Sequence, residues 1–86
     1  MGQQSSVAPS PLSTGLATAV RVLLARRGLQ QKDLTRIAGR SGGYWSKRLS
    51  GQYGFTVLDV ERLAEGFGVG PEELMAAAVA EMPTPE

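Results

Sequence analysis

Apolar residues recur along this chain at helical spacing, in short stretches separated by glycines. Leu16, Val20, Leu23 and Leu24 share one face of a helix predicted from about Thr14 to Arg27. Ser13 is its expected N-cap, Leu12 and Ala17 its hydrophobic staple, and Gly28 its left-handed stop. Gly15 falls in the first turn of that helix, where it costs little. A second helix is expected from Gln30 or Gln31 to Ala38, with Leu34, Ile37 and Ala38 inward and Lys32, Asp33 and Arg36 outward. Gly39 closes it, and Arg40-Ser41 form a tight turn. Ser41 caps a third helix from Gly42 to Leu49 or Ser50, anchored by Trp45 and Leu49 at i and i+4. After a Gly51–Phe55 loop, Thr56 and Asp59 approximate a capping box. The fourth helix carries the stripe Val57, Val60, Leu63, Ala64 and Phe67 and stops at Gly68. Gly70-Pro71 opens a fifth, carried by Leu74, Met75, Ala78, Val79 and Met82 as far as Pro83. Nothing alternates with period two, no repeat is present and heptads are not sustained. The pattern therefore predicts an all-α chain of five helices.

Eighty-six residues make one small domain, and the two ends read as dispensable. Residues 1–12, polar and rich in Pro and Ser, are expected to form a disordered arm, and residues 83–86 a disordered tail. The domain proper spans residues 13–82. The match of Gly2 and Ser6 to M-G-x-x-x-[ST] is short enough to arise by chance in such an arm. Without Cys or His, no disulfide, metal site or cofactor is expected. No apolar run approaches the roughly 20 residues that span a bilayer, and the N-terminus lacks a signal-peptide pattern. A cytoplasmic setting and no membrane partner are the expectation. With no pair of acids predicted in an apolar cleft, an enzyme is not expected either.

The net charge of +1 conceals a separation. From Arg21 to Gly54, Arg21, Arg26, Arg27, Lys32, Arg36, Arg40, Lys47 and Arg48 face Asp33 alone, a surplus of seven positive charges. From Phe55 onward only Arg62 opposes seven acids, Asp59, Glu61, Glu65, Glu72, Glu73, Glu81 and Glu86. One half of the molecule is thus suited to a polyanion.

The basic half coincides with two short helices and a tight turn, residues 29–51, a shape that fits the DNA major groove. The stretches G-L-Q-Q-K-D-L, W-S-K-R-L-S-G, L-A-E-G-F-G-V and P-E-E-L, together with Gly39 and the flanking first helix, resemble the lambda-repressor-like helix-turn-helix family of Cro/CI and Xre-type regulators. The resemblance spans about Ser13 to Met82 and places the helix-turn-helix at the second and third helices. It implies that Gln31 meets a DNA phosphate and braces the recognition helix. It also implies that Ser41 to Lys47 enter the major groove, with Gly42, Gly43, Tyr44 and Lys47 facing bases or nearby backbone, and that Ser50, Gln52 and Tyr53 lie near phosphates. Lys32, Arg36 and Arg40 complete the basic face, and Arg48 stands between a core role and a phosphate. Thr35 and Arg48 depart from the family pattern, as does the Gly42-Gly43 pair, which offers no side chain for base reading.

The expected function is sequence-specific binding of double-stranded DNA by a phage or bacterial repressor type of regulator. A homodimer through the fifth helix, by way of Ala76, Ala77, Val79 and Ala80, is one reading of that face, and closure of the core is the other. The competing function is a protein-interaction module on the same fold, an antitoxin or antirepressor, using the acidic half.

Overall fold

The computed structural model describes residues 7–83 of the chain. Expectations for residues 1–6 and 84–86, including the Gly2–Ser6 match and most of the tail, lie outside the described residues. The helices are α1 (Pro11–Arg26), α2 (Leu34–Ala38, entered through a 3₁₀ turn at Gln31–Asp33), α3 (Gly42–Leu49), α4 (Val57–Phe67) and α5 (Pro71–Ala80). No strand occurs among the described residues.

The start of α1 corrects the expectation by three residues. Ser10, not Ser13, is the N-cap, and its hydroxyl accepts the Ser13 N–H at 3.1 Å. Pro11 follows at the first helical position, where its fixed φ and missing N–H are no loss. Ser13 is freed for a tertiary contact, its Oγ accepting the Phe55 N–H at 3.3 Å. The expected arm therefore ends early. Pro11 and Leu12 are helical, and the Val7 carbonyl accepts the Gly54 N–H at 2.7 Å. Gly15 consequently lies in the second turn, and its role is packing. A Cβ there would overlap the Ala78 carbonyl oxygen, so glycine lets α1 and α5 approach closely.

The other helices start and stop where local chemistry dictates. Thr56 Oγ1 accepts the Asp59 N–H at 3.0 Å while Asp59 Oδ2 accepts the Thr56 N–H at 2.9 Å, which closes the capping box of α4. Gly68, at φ +72°, ends that helix. Within α4 the stripe is shorter than expected. Val57 is 78% exposed because it sits at the first helical position, turned away from the core. Buried Asp59 takes part of the inner face instead.

The core is assembled from Val20, Leu34, Trp45, Leu63 and Leu74, each nearly inaccessible to water. Each such side chain stabilises the fold by about 1.5–3 kcal/mol through burial. α1 packs along α5, α2 lies on α4, and α3 rests on α1. Gly66 serves the second of these contacts, since a Cβ there would strike the Ile37 backbone. α5 contributes Leu74 and Ala78 to the core, whereas Ala76, Ala77, Val79 and Ala80 stay exposed.

Candidate nucleic-acid interface

The angle between α2 and α3 is set in the three residues that join them. Gly39 ends α2 with φ +81° and ψ −174°, a region open essentially to glycine, and its N–H donates to the Thr35 carbonyl at 3.0 Å. Arg40 follows in the left-handed region at φ +68°. Ser41 then caps α3, its Oγ accepting the Tyr44 N–H at 3.1 Å. Trp45 locks the arrangement from below. Its ring is fully buried and its Nε1–H donates to the Gly39 carbonyl at 2.6 Å. That bond satisfies the indole and fixes the turn to the second helical turn of α3.

With Trp45, Arg48 and Leu49 buried, the outward face of α3 consists of Gly43, Ser46, Lys47 and Ser50, at i, i+3, i+4 and i+7. Ser46 lies within the Ser41–Lys47 segment expected in the groove but carried no contact role of its own there. The helical period around Lys47 is the signal in the sequence that places it on this face. Gly42 at the start of α3 and, on the neighbouring elements, Gln31, Lys32, Arg36, Arg40, Ser41 and Gln52 are exposed as well. Arg36 lies 3.3 Å from Asp33, Lys47 Nζ sits 5.8 Å from the Tyr53 ring centroid, and Ser50 Oγ donates to the Lys47 carbonyl at 3.2 Å. The Gln52 and Tyr53 N–H groups also donate to that carbonyl, at 3.0 and 3.1 Å, which holds the loop against the end of α3. Around Gly42 and Gly43 the space is open. A Cβ at Gly42 would meet nothing within 4 Å, and one at Gly43 only Ser41 Oγ at 4.0 Å. The fold itself does not require glycine at either position.

Two of the expected contact residues are turned inward. Arg48 is only 5% exposed, with Nε 3.5 Å from Asp59 Oδ2, Nη1 donating to the Tyr44 carbonyl at 3.2 Å, and its guanidinium on the Tyr44 ring. A cation buried and paired in this way is not available to a phosphate. Tyr44 is half-buried and its hydroxyl donates to Asp59 Oδ1 at 2.5 Å, which directs it toward α4. Asp59, which the sequence marked only as a cap, is thus the hub beneath the candidate interface. Its spacing from Tyr44 and Arg48 carries no periodic signal, so only the tertiary fold reveals it.

The basic surplus is also redistributed. Arg21 donates to the Leu49 carbonyl at the end of α3, and Arg27 to the Phe67 carbonyl at the end of α4, both at 2.6 Å. These cations satisfy carbonyls left open at helix C-termini. Lys32, Arg36, Arg40 and Lys47 remain as the outward cations of the helix-turn-helix. Asp33 tempers them. Its carboxyl is held below the usual aspartate range, first by the Gln30 N–H at 2.8 Å and then by Arg36 and Lys32. Among the described residues no cluster of acids is placed to hold a metal ion, and no helix is long and apolar enough to cross a membrane.

A short α2, a glycine-based turn, a capped α3 with an open polar face and three supporting helices define a helix-turn-helix protein of the lambda-repressor-like, Xre-type DNA-binding class. A model of the helix-turn-helix domain family matches residues 16–78, and the chain belongs to that family. Its fold is similar to that of the clp gene regulator ClgR from C. glutamicum, with a TM-score of 0.74 and 20% identity, over 86% of this chain and 96% of that one. No curated protein matches the sequence significantly.

Proposed function

We propose that this chain is a sequence-specific, double-stranded DNA-binding transcriptional regulator of the phage or bacterial repressor type, which docks α3 in the major groove. The observation that carries the reading is the outward face of α3. Gly43, Ser46, Lys47 and Ser50 are free of the core, and Lys32, Arg36 and Arg40 stand on the elements beside them. Gln31, Lys32, Arg36, Arg40, Ser41, Ser50, Gln52 and Tyr53 meet phosphates, while Ser46 and Lys47 approach base edges. Gly42 and Gly43 add backbone N–H groups without a side chain between helix and DNA. The similarity to ClgR, described as a gene regulator, supports the assignment. Such a protein works in the cytoplasm of a bacterium or a phage-infected cell. It pairs on a palindrome, here through the exposed α5 residues Ala76, Ala77, Val79 and Ala80.

Selection of bound sequences from a random duplex pool at physiological salt tests this directly. An enriched palindrome is expected, and an unenriched pool refutes sequence-specific binding. If each protomer neutralises about four to six phosphates, log K falls against log[salt] with a slope near −0.9 per contact.

One observation favours a second reading, an interaction module of the antitoxin or antirepressor kind. A groove of about 450 Å³ between α1, α4 and α5 is lined by Leu12, Leu16, Phe55, Val60 and Met75, with Glu61 and Glu72 at its edge. That arrangement suits an apolar segment flanked by basic residues. Under this reading Lys47→Ala with Arg40→Ala leaves the biological activity intact, whereas under the first it abolishes DNA binding.

A further inference from the structure

Arg40 is the only residue other than glycine with a positive φ among the described residues. The left-handed conformation is disfavoured for an L-amino acid by about five- to thirty-fold in population. Glycine adopts such a φ without steric cost, so arginine at φ +68° calls for a reason in its side chain. Arg40 Cζ is 4.2 Å from the Tyr44 ring centroid, and Arg48 Cζ is 3.6 Å from the same centroid. Two guanidinium groups that close to one centroid overlap if they share a face, so the ring is clasped from both sides. The Tyr44 hydroxyl is tied to Asp59 at 2.5 Å, and Asp59 is in turn held by the Thr56 N–H and by Arg48. The inner guanidinium is buried and the outer one is exposed.

We infer that Tyr44 is a positioning residue, which holds the exposed Arg40 guanidinium ahead of α3 for a DNA phosphate and does not itself meet DNA. The inference rests on the DNA-binding reading above and assigns the division of labour within that site. Asp59, on α4, fixes the ring; the ring fixes the plane of the guanidinium; the strained backbone of Arg40 brings it over the ring. Arginine suits the role because its planar, delocalised cation stacks on an aromatic face while its edge keeps N–H donors free for an anion. Lysine keeps the charge but loses the plane.

The test is a double-mutant cycle on the full chain, read by fluorescence anisotropy with a labelled mixed-sequence duplex at low salt, where phosphate contacts dominate. Arg40→Lys and Tyr44→Leu are each expected to weaken binding about two- to five-fold, the worth of the stacked cation. Because both remove the same arrangement, the double variant weakens it no further than the stronger single one. Arg40→Gly lowers the magnitude of the salt slope by about 0.9 while leaving the melting temperature unchanged or higher, since glycine relieves the strained φ. A purely structural role for Arg40 gives the opposite pairing, lower stability with an unchanged slope. Losses that multiply in the double variant, or an Arg40→Gly protein that binds like the parent, overturn the inference while the parent's binding stands. A parent that fails to bind any duplex overturns the DNA-binding reading as well. Should Tyr44→Leu not fold by circular dichroism, the two Arg40 variants still decide.

Discussion

Replacing Asp59 by alanine removes three interactions from the layer beneath α3 in one step. The carboxylate is 1% exposed; it accepts the Thr56 N–H at 2.9 Å and the Tyr44 hydroxyl at 2.5 Å, and it lies 3.5 Å from Arg48 Nε. Loss of the carboxylate's half of the capping box contributes about 0.5–1.5 kcal/mol. The larger effect is on Arg48, which is left buried without its partner carboxylate, a situation that costs about 3–5 kcal/mol. The contributions share partners and do not add, so about 3–5 kcal/mol is expected in all. A domain of this length has roughly 4–13 kcal/mol of stability, so Asp59→Ala removes a large share of it. Urea titration followed by circular dichroism at 25 °C measures the change, and the melting midpoint falls by at least about 12 °C. Asp59→Asn keeps the shape and an acceptor for Tyr44 or Thr56, and loses less, about 1–3 kcal/mol. The decisive variant adds Arg48→Met to Asp59→Ala. It removes the orphaned cation and recovers at least about 1 kcal/mol despite deleting a second native side chain. A cost below about 1 kcal/mol for Asp59→Ala, or no recovery on adding Arg48→Met, refutes the claim that a buried ion pair supports α3.

Gly66→Ala sets a Cβ against the Ile37 backbone and forces α2 from α4, with an expected loss of about 1–3 kcal/mol by denaturant titration; a neutral result shows that the two helices are not in close contact. Gly43→Ala points into open space, so stability should be unchanged or up to about 0.5 kcal/mol higher. The same change should weaken duplex binding if the start of α3 approaches DNA by its backbone, and unaltered affinity argues against that approach. Asp33 titrates below its usual range in the fold, so its contribution is complete above the unfolded aspartate value near pH 4 and fades as pH falls through the lower folded one. In Asp33→Asn that part of the acid limb disappears from a stability-versus-pH curve, and an identical limb in both proteins contradicts the assignment.

Most of the architecture was legible in the chain because it rests on local chemistry. Gly39 and Gly68 end helices by adopting positive φ, Ser41 and Thr56 cap the next ones, and Pro71 opens α5. Trp45 and Leu49 follow from the 3.6-residue period alone. The same reasoning failed at the first helix, which is capped by Ser10 and not by the expected Ser13. Only the Phe55 N–H, more than forty residues away in the chain, decides that Ser13 is engaged elsewhere. It also misread Val57, whose place at the first turn of α4 turns an apolar residue toward solvent.

Caps, stops and periodicity act over a few residues, so the helices, their order, the turn between α2 and α3 and the separation of charge can be read along the chain. Tertiary structure alone decided which charges are free. Arg48 and Asp59 are eleven residues apart, and it is their burial in one contact that makes them partners of each other instead of partners of a ligand. Arg21 and Arg27 are spent on helix ends for the same reason. A cation's availability depends on what the folded chain places beside it, and no local pattern encodes that.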